Sequence, residues 1–380
     1  MNPQRLRAII RRVVQEIRRD HRSLGLLFIA PILMTGLVTF IVREAQAPAV
    51  EAVIVNEAGA PGAAVATVLR SALEDIDGTV TGAADEPAAR AMVEDGDASI
   101  AILLPAGLGS GSSTITLITH GLDPSGDTAQ VAIVRHALLG AATAWTGTRL
   151  PTISQVTVYG VPSDDPIAPF APAIVAFLAY FFVYILTGVS FLRERTGGTL
   201  ERLMATPVTR GEVVVGYILG FGLFATIQVA ILMTWVLGTV HVPAIGPLPE
   251  FSIGMGVAMA GSPLAAFLVV VLLALGAVSL GIFLSTFART ELQIMQFIPI
   301  VMTPQFLLSG VLFPVSSLPN VLQPFVGLMP VTFAVHGLRQ IFVTGADLSS
   351  AALQGDLAVL ALIAVFFAGI ASLTIRREVV

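Results

Sequence analysis

RERTGGTLERLMATPVTRGEV, residues 193–213, is the longest polar interruption in the apolar second half of this 380-residue chain. It stands between two hydrophobic runs, 167–192 and 213–240, each long enough to cross a bilayer at about 1.5 Å per residue. Thr199 is placed to cap a short helix, and Leu200, Leu203 and Met204 share one face of it at i, i+3 and i+4. Pro207 ends that helix by disfavouring helical backbone at Thr206. Thr209 and Glu212 then form a T-x-x-E capping box that starts the next helix. The expectation is two membrane helices joined by a loop, 193–212, that carries a two-turn amphipathic helix.

Composition sets the class. At 55% hydrophobic and 12% charged residues, with a mean hydropathy of +0.86, the chain reads as an integral membrane protein, because soluble domains carry about twice that charge. Cysteine is absent, which removes disulfides and thiolate metal sites. All twenty basic residues are arginine. A Walker A loop needs a lysine on the nucleotide phosphates, so a P-loop is excluded, and ATP could drive this protein only from another chain.

Residues 1–22 carry seven arginines and an apolar stripe of Leu6, Ile9, Ile10, Val13, Val14 and Ile17 at helical spacing. Such a helix is expected to lie in the membrane interface with its arginines toward the headgroups. The run 23–42 that follows carries no charge and makes a first span, 23–43. Ala45-Gln46-Ala47 has the look of a cleavage site, but the apolar run exceeds the usual signal-peptide core of about 7–15 residues, so an uncleaved anchor is expected. From 44 to 166 the composition turns to that of a water-soluble domain, with fifteen acidic residues against Arg70, Arg90, Arg135 and Arg149. Alternation predicts strands over 50–55, 99–104, 114–119 and 154–159 and helices near 63–73 and 128–146, a small α+β domain. Its carboxylates read as a solvated acidic surface, because no histidine accompanies them in a metal-ligating pattern. Further spans are expected over 167–192, 213–240, 263–288, 292–313 and 353–377, six in all. If they alternate, the N-terminal arginines, Arg193, Arg195, Arg202, Arg210, Arg289, Arg376 and Arg377 fall on one side. The positive-inside rule makes that side cytoplasmic, with both termini, and puts the acidic domain outside.

Residues 308–330, LSGVLFPVSSLPNVLQPFVGLMP, cannot form a continuous helix, since Gly310, Pro314, Pro319, Pro324 and Pro330 interrupt it. Broken backbone at membrane depth is tolerated only under a cover of protein or in a watery cavity. The stretch 193–213 resembles the cytoplasmic loop of the ABC-2 type permeases, the membrane subunits of ABC exporters. The matching positions are Glu194, Gly198, Thr199, Leu200, Glu201, Leu203, Thr206, Pro207, Arg210, Glu212 and Gly216. Tyr217 departs from the pattern by standing where many relatives carry lysine. Leu308, Ser309, Gly310, Phe313, Pro314 and Pro319 resemble the LSG…FP…P pattern of the same family, and Arg339 matches the arginine beyond it.

The resemblance implies an α-helical polytopic protein with six transmembrane helices and an α+β extracytoplasmic domain between helices 1 and 2. It implies a coupling helix that docks on a separate ABC ATPase, and a re-entrant external segment over 314–352. It also implies a second permease subunit as partner, in a bacterial cytoplasmic membrane. ATP and magnesium would be bound by the partner ATPase, and this chain would have no cofactor, catalytic residue or nucleic-acid partner of its own. Within the spans ionisable residues read as essentially absent, which speaks against a proton-coupled carrier and for a lipophilic or amphipathic cargo such as a drug, an antibiotic or a lipid. Gln228, Gln293, Gln296 and Gln305 are expected to hydrogen-bond between helices, and His241 and His336 to be incidental. The competing expectation is a non-transporting sensor or anchor that acts through its external domain and has no need of the loop.

Overall fold

The computed structural model describes residues 2–44, 50–76, 78–108, 113–120, 124–141, 152–158, 167–168, 170–242, 251–311, 315 and 318–374. The chain divides into two compact units, Met1–Thr39 with Phe170–Val380, and Phe40–Pro169. It opens with α1 (Pro3–Arg19) and α2 (His21–Glu44).

The second unit then runs β1 (Glu51–Asn56), α3 (Ala60–Glu74), β2 (Thr79–Gly82), α4 (Glu86–Glu94), β3 (Ile100–Leu104), β4 (Thr114–Thr119), α5 (Pro124–Ala141) and β5 (Thr152–Thr157). Its mixed sheet has the order β2-β1-β3-β4-β5, antiparallel only between β3 and β4. Ala52, Ile54, Ile102 and Leu117 face Leu69 and Leu73 of α3 and Val134 of α5. Val53, Val55, Ala101 and Ile118 face Ala89 and Val93 of α4 on the other side. A sheet covered on both faces explains why β3 reads IAILL without alternation. The four expected strands are β1, β3, β4 and β5, while β2 and α4 are additions. The four-residue β2 is mostly exposed, and α4 buries only Ala89 and Val93, so neither leaves a strong periodic signal.

The other unit continues with α6 (Ala171–Thr196), α7 (Thr199–Met204), α8 (Arg210–Leu237), a hairpin of β6 (Val240–Val242) and β7 (Phe251–Ile253), then α9 (Pro263–Ser285) and α10 (Glu291–Leu308). Two short helices, α11 (Gln323–Val326) and α12 (Pro330–Arg339), lead through a π-helical turn at Gln340–Thr344 to α13 (Ala351–Thr374). Among the described residues five helices, α2, α6, α8, α9 and α13, are long and apolar enough to cross a membrane, and the protein is a polytopic helical membrane protein with an α+β domain. The remaining expected span corresponds to α10, which is shorter and more polar: 18 residues, interrupted by Pro299 and Pro304 and carrying Gln293, Gln296 and Gln305. It ends at Leu308 rather than at Phe313, which lies outside the described residues.

Packing in this unit centres on α6 and α9. A Cβ on Gly281 of α9 would lie 3.1 Å from the Tyr184 carbonyl oxygen of α6, so the glycine permits the two backbones to meet. Thr187 Cβ would be equally near that point, and Tyr184 and Thr187 are buried. By contrast only 11% of the apolar window of α13 is buried within the chain, and 22% of that of α2.

Candidate functional site

The polar loop 193–213 is fastened at both ends, and α7 projects between them. Its first three residues each reach a different part of the bundle. Arg193 donates through Nε to Glu291 Oε1 (2.7 Å), at the start of α10, and through Nη1 to Asp20 Oδ2 (3.3 Å), the C-cap of α1. Glu194, buried, receives Nη2 of Arg12 from α1 at 2.5 Å. Arg195 donates to the carbonyls of Ser285 (2.9 Å), Thr286 (2.5 Å) and Ala288, and so caps the C-terminal end of α9. These partners explain why α6 continues as helix to Thr196, through residues whose charges placed them in the loop.

At the other end the expected capping box is complete. Thr209 Oγ1 accepts the Glu212 N–H, and Glu212 Oε2 accepts the Thr209 N–H at 2.9 Å. Glu212 does more than cap α8. Its Oε1 accepts the backbone N–H of Asn2 at 2.6 Å, its Oε2 lies 4.0 Å from Arg5, and the carboxylate is buried. Arg5 also donates to the Pro207 carbonyl. The N-terminal helix therefore grips both ends of the loop, Glu194 through Arg12 and Glu212 through Asn2 and Arg5. Glycines let it come that close. A Cβ on Gly216 would fall 2.6 Å from Ile9 Cγ2, and one on Gly220 would fall 2.7 Å from Val13 Cγ1.

Between the ends, α7 differs from expectation in its start. Its N-cap is Gly198 at φ +70°, a left-handed backbone that suits glycine, and Thr199 is the first helical residue with no capping hydrogen bond from its side chain. Leu200 and Met204 are buried against the chain itself, Leu203 is half-buried, and Glu201, Arg202, Ala205, Thr206 and Pro207 are exposed. Arg210 is exposed at the first position of α8. The site thus presents a short outward ridge, Glu201, Arg202, Leu203 and Thr206, on a base fixed to α1, α9 and α10.

The place of Tyr217 is also settled. Its ring packs edge-on against Phe191 (centroids 5.0 Å apart) and against Phe221, within the protein. The positive charge facing Glu194 comes instead from Arg12 on α1. Glu16, one turn on, lies 3.8 Å from the same guanidinium nitrogen. Burial and the neighbouring Glu194 push the Glu16 carboxyl up to about 7, against the pull of Arg12. Asp20 is held below the usual carboxylate range by the Ser23 hydroxyl and by Arg193. A cavity of about 40 Å³, lined by Glu16, Asp20, Arg193 and Glu194 with Val13 and Phe221, separates α1 from α6. It has room for about two or three waters.

The second expected group is partly brought together. Leu308 ends α10, Ser309 is its C-cap, and Gly310 follows at φ +76°. Arg339 of α12 donates Nη2 to the Gly310 carbonyl at 2.7 Å. Gln305 accepts the Val331 N–H at 3.1 Å, one of the interhelical bonds expected of the glutamines. Gln293 instead stays local, accepting the Arg289 N–H ahead of α10. Pro319 begins a turn closed by Leu322 N–H, while Phe313 and Pro314 lie outside the described residues.

Two expectations are corrected here. One ionisable residue does lie within an expected span, since Asp356 of α13 is buried; Glu194 and Glu212 are buried too, but in the ends of α6 and α8 that fall in the loop 193–212. His336 is not incidental, since its Nδ1 lies 2.8 Å from Asp356 Oδ2 and so links α12 to α13. Asn2, Arg5 and Arg12 belong to the site as well, although no local motif marks them. A helical wheel of α1 carried a usable signal, because Arg5 and Arg12 lie seven residues apart, off the face of Arg7 and Arg11.

A family model described as ABC-2 family transporter protein matches residues 21–373 of this chain. Among curated relatives, "ABC transporter G family member 20" of Dictyostelium discoideum is 31% identical over 192 residues, 50% of this chain and 24% of that protein. "Inner membrane transport permease YhhJ" of Escherichia coli K12 is 30% identical over 163 residues, 43% of this chain and 40% of its own length. "Probable multidrug ABC transporter permease YbhR" of the same strain is 27% identical over 177 residues, 47% of this chain and 44% of that protein. The chain therefore spans less than half the length of each.

Proposed function

Because the chain belongs to the ABC-2 family of transporter proteins, we propose that it is the membrane subunit of an ATP-driven exporter, worked by a separate ABC ATPase that docks on α7. The observation that carries this reading is the build of the loop. Both ends are pinned by buried acids while the ridge Glu201, Arg202, Leu203 and Thr206 faces outward, the arrangement needed for a handle that transmits force from outside the bilayer. The chain supplies no lysine for a P-loop, so ATP and magnesium belong to the ATPase. Closure of the ATPase would push α7, and through Arg193, Glu194 and Arg195 the push would reach α10, α1 and α9.

The outward face of α10 favours a second permease copy as neighbour. Leu292, Met295, Gln296, Ile300 and Thr303 are exposed along it, and Gln296 and Thr303 are poorly suited to lipid. A path between two such faces would be mainly apolar, which suits a lipophilic or amphipathic cargo. The chain is placed in a bacterial cytoplasmic membrane, and the arginine distribution supports the orientation with the termini and α7 inside and the α+β domain outside. Purification of the chain with its associated proteins tests the proposal. A copurifying ATPase, absent when the loop is replaced by a glycine-serine linker, is the expected result; an unchanged set of partners would favour the sensor or anchor reading.

A further inference from the structure

α1 has a face that the rest of the described chain does not use. Arg7, Arg11 and Arg18 fall within about 40° of one another around the helix axis. All three are exposed, and among the described residues the ion pairs of α1 are made by Arg5, Arg12, Glu16 and Asp20 instead. Beside this row run Leu6, Ile10 and Val14, each only half-buried, while Ile9, Val13 and Ile17 are buried against the protein.

The depth of α1 follows from α8. That helix has 28 residues, and it runs beyond the hydrocarbon core, which takes only about 20 residues. Counting about 20 residues back from Leu237 places the edge of the core near Ile218. Ile9 and Val13 meet α8 at Gly216 and Gly220, on either side of that level, and Asn2 meets it at Glu212, beyond the core. α1 is thereby held in the headgroup layer, with Leu6, Ile10 and Val14 toward the acyl boundary.

We infer that the row Arg7, Arg11 and Arg18 is a binding surface for anionic phospholipid headgroups. Guanidinium groups bind phosphate oxygens in paired hydrogen bonds, and a negative bilayer surface meets an uncompensated positive row at the depth of its phosphates. Since the same helix holds Glu194 and Glu212, lipid charge acts on the base of the loop that carries α7. The inference rests on the membrane placement of the chain and not on the docking of an ATPase, so the two can fail separately.

The test uses the full chain with one introduced cysteine, Ile10→Cys, carrying an environment-sensitive fluorophore, in bilayers of phosphatidylcholine with and without phosphatidylglycerol. Phosphatidylglycerol should shift the emission to the blue and shield the label from an aqueous quencher, whereas inorganic phosphate added to phosphatidylcholine bilayers should do neither. Replacing Arg7, Arg11 and Arg18 by glutamine should weaken the response on the order of a hundredfold. Should that variant fail to insert, high salt on the parent protein must produce the same loss. Equal emission in both bilayers, a response that survives the substitutions or the salt, or a response to inorganic phosphate alone would overturn the inference. So would a label that answers to an added ATPase and not to phosphatidylglycerol, which would make the row a protein-docking face.

Discussion

Glu201 and Glu212 sit eleven residues apart in the same loop, and the structure gives them opposite settings. Glu212 uses one oxygen for the Asn2 N–H and the other for the Thr209 N–H, so glutamine cannot replace it without turning an amide N–H toward one of those donors. Glu212→Gln is expected to lose about 1–3 kcal/mol and to lower the thermal unfolding midpoint. Glu201 is exposed on α7, so Glu201→Gln should leave unfolding unchanged and reduce ATP hydrolysis by the assembled complex. The reverse ranking would show that the acids have been assigned the wrong roles. The capping box was legible in the sequence because its two partners are three residues apart. The bond from Asn2 to Glu212 spans 210 residues, and no local pattern announces it.

Among the elements, α1 combines a strong sequence signal with a placement that the sequence does not give. Its apolar stripe and arginines predict an interfacial helix, but its docking depends on Gly216 and Gly220, whose value emerges only when Ile9 and Val13 are seen against them. Its polar attachment should depend on pH. Glu16 is held protonated up to about 7 by burial and by Glu194, with Arg12, Asp20, Arg193 and Tyr217 also close to this junction. A raised carboxyl pKa stabilises docking while the proton is bound, so docking weakens as pH rises from the ordinary carboxylate range through about 7. The rate at which a buried Ile9→Cys reacts with a thiol reagent, normalised to a cysteine at the exposed Ser71, should therefore rise across that interval. Glu16→Gln should flatten the rise, and an unaltered profile in that variant would exclude Glu16 as its source. Other elements were legible to different degrees. The long helices follow from hydropathy, whereas β2 and α4 are too short and exposed for periodicity to reveal them.

At the scale of the whole molecule, the proposed topology puts α7 on the cytoplasmic side of the membrane and the acidic residues of 44–166 outside. The chain has no cysteine, so single introduced cysteines report sidedness without background. A cysteine at Ser71, exposed on α3, should react with an impermeant reagent in intact cells, and one at Thr206 only after permeabilisation. Reaction of both from outside would contradict the topology. The buried Asp356 and its His336 partner show what hydropathy alone conceals, because one acid near a helix end hardly alters a 24-residue average.

If α7 is the handle of an ATPase in trans, Leu203 is the side chain that the ATPase covers. Leu200 and Met204 are committed to the chain itself, but Leu203 is half-exposed on the ridge and free to be covered by a partner. Full burial of such a side chain contributes about 1.5–3 kcal/mol, and an aspartate there would add an unpaired charge to the interface. The measurement is the amount of ATPase recovered with affinity-purified permease, parent against Leu203→Asp, at equal membrane insertion. Loss of most of the ATPase is the expected result; full retention would show that α7 does not hold it.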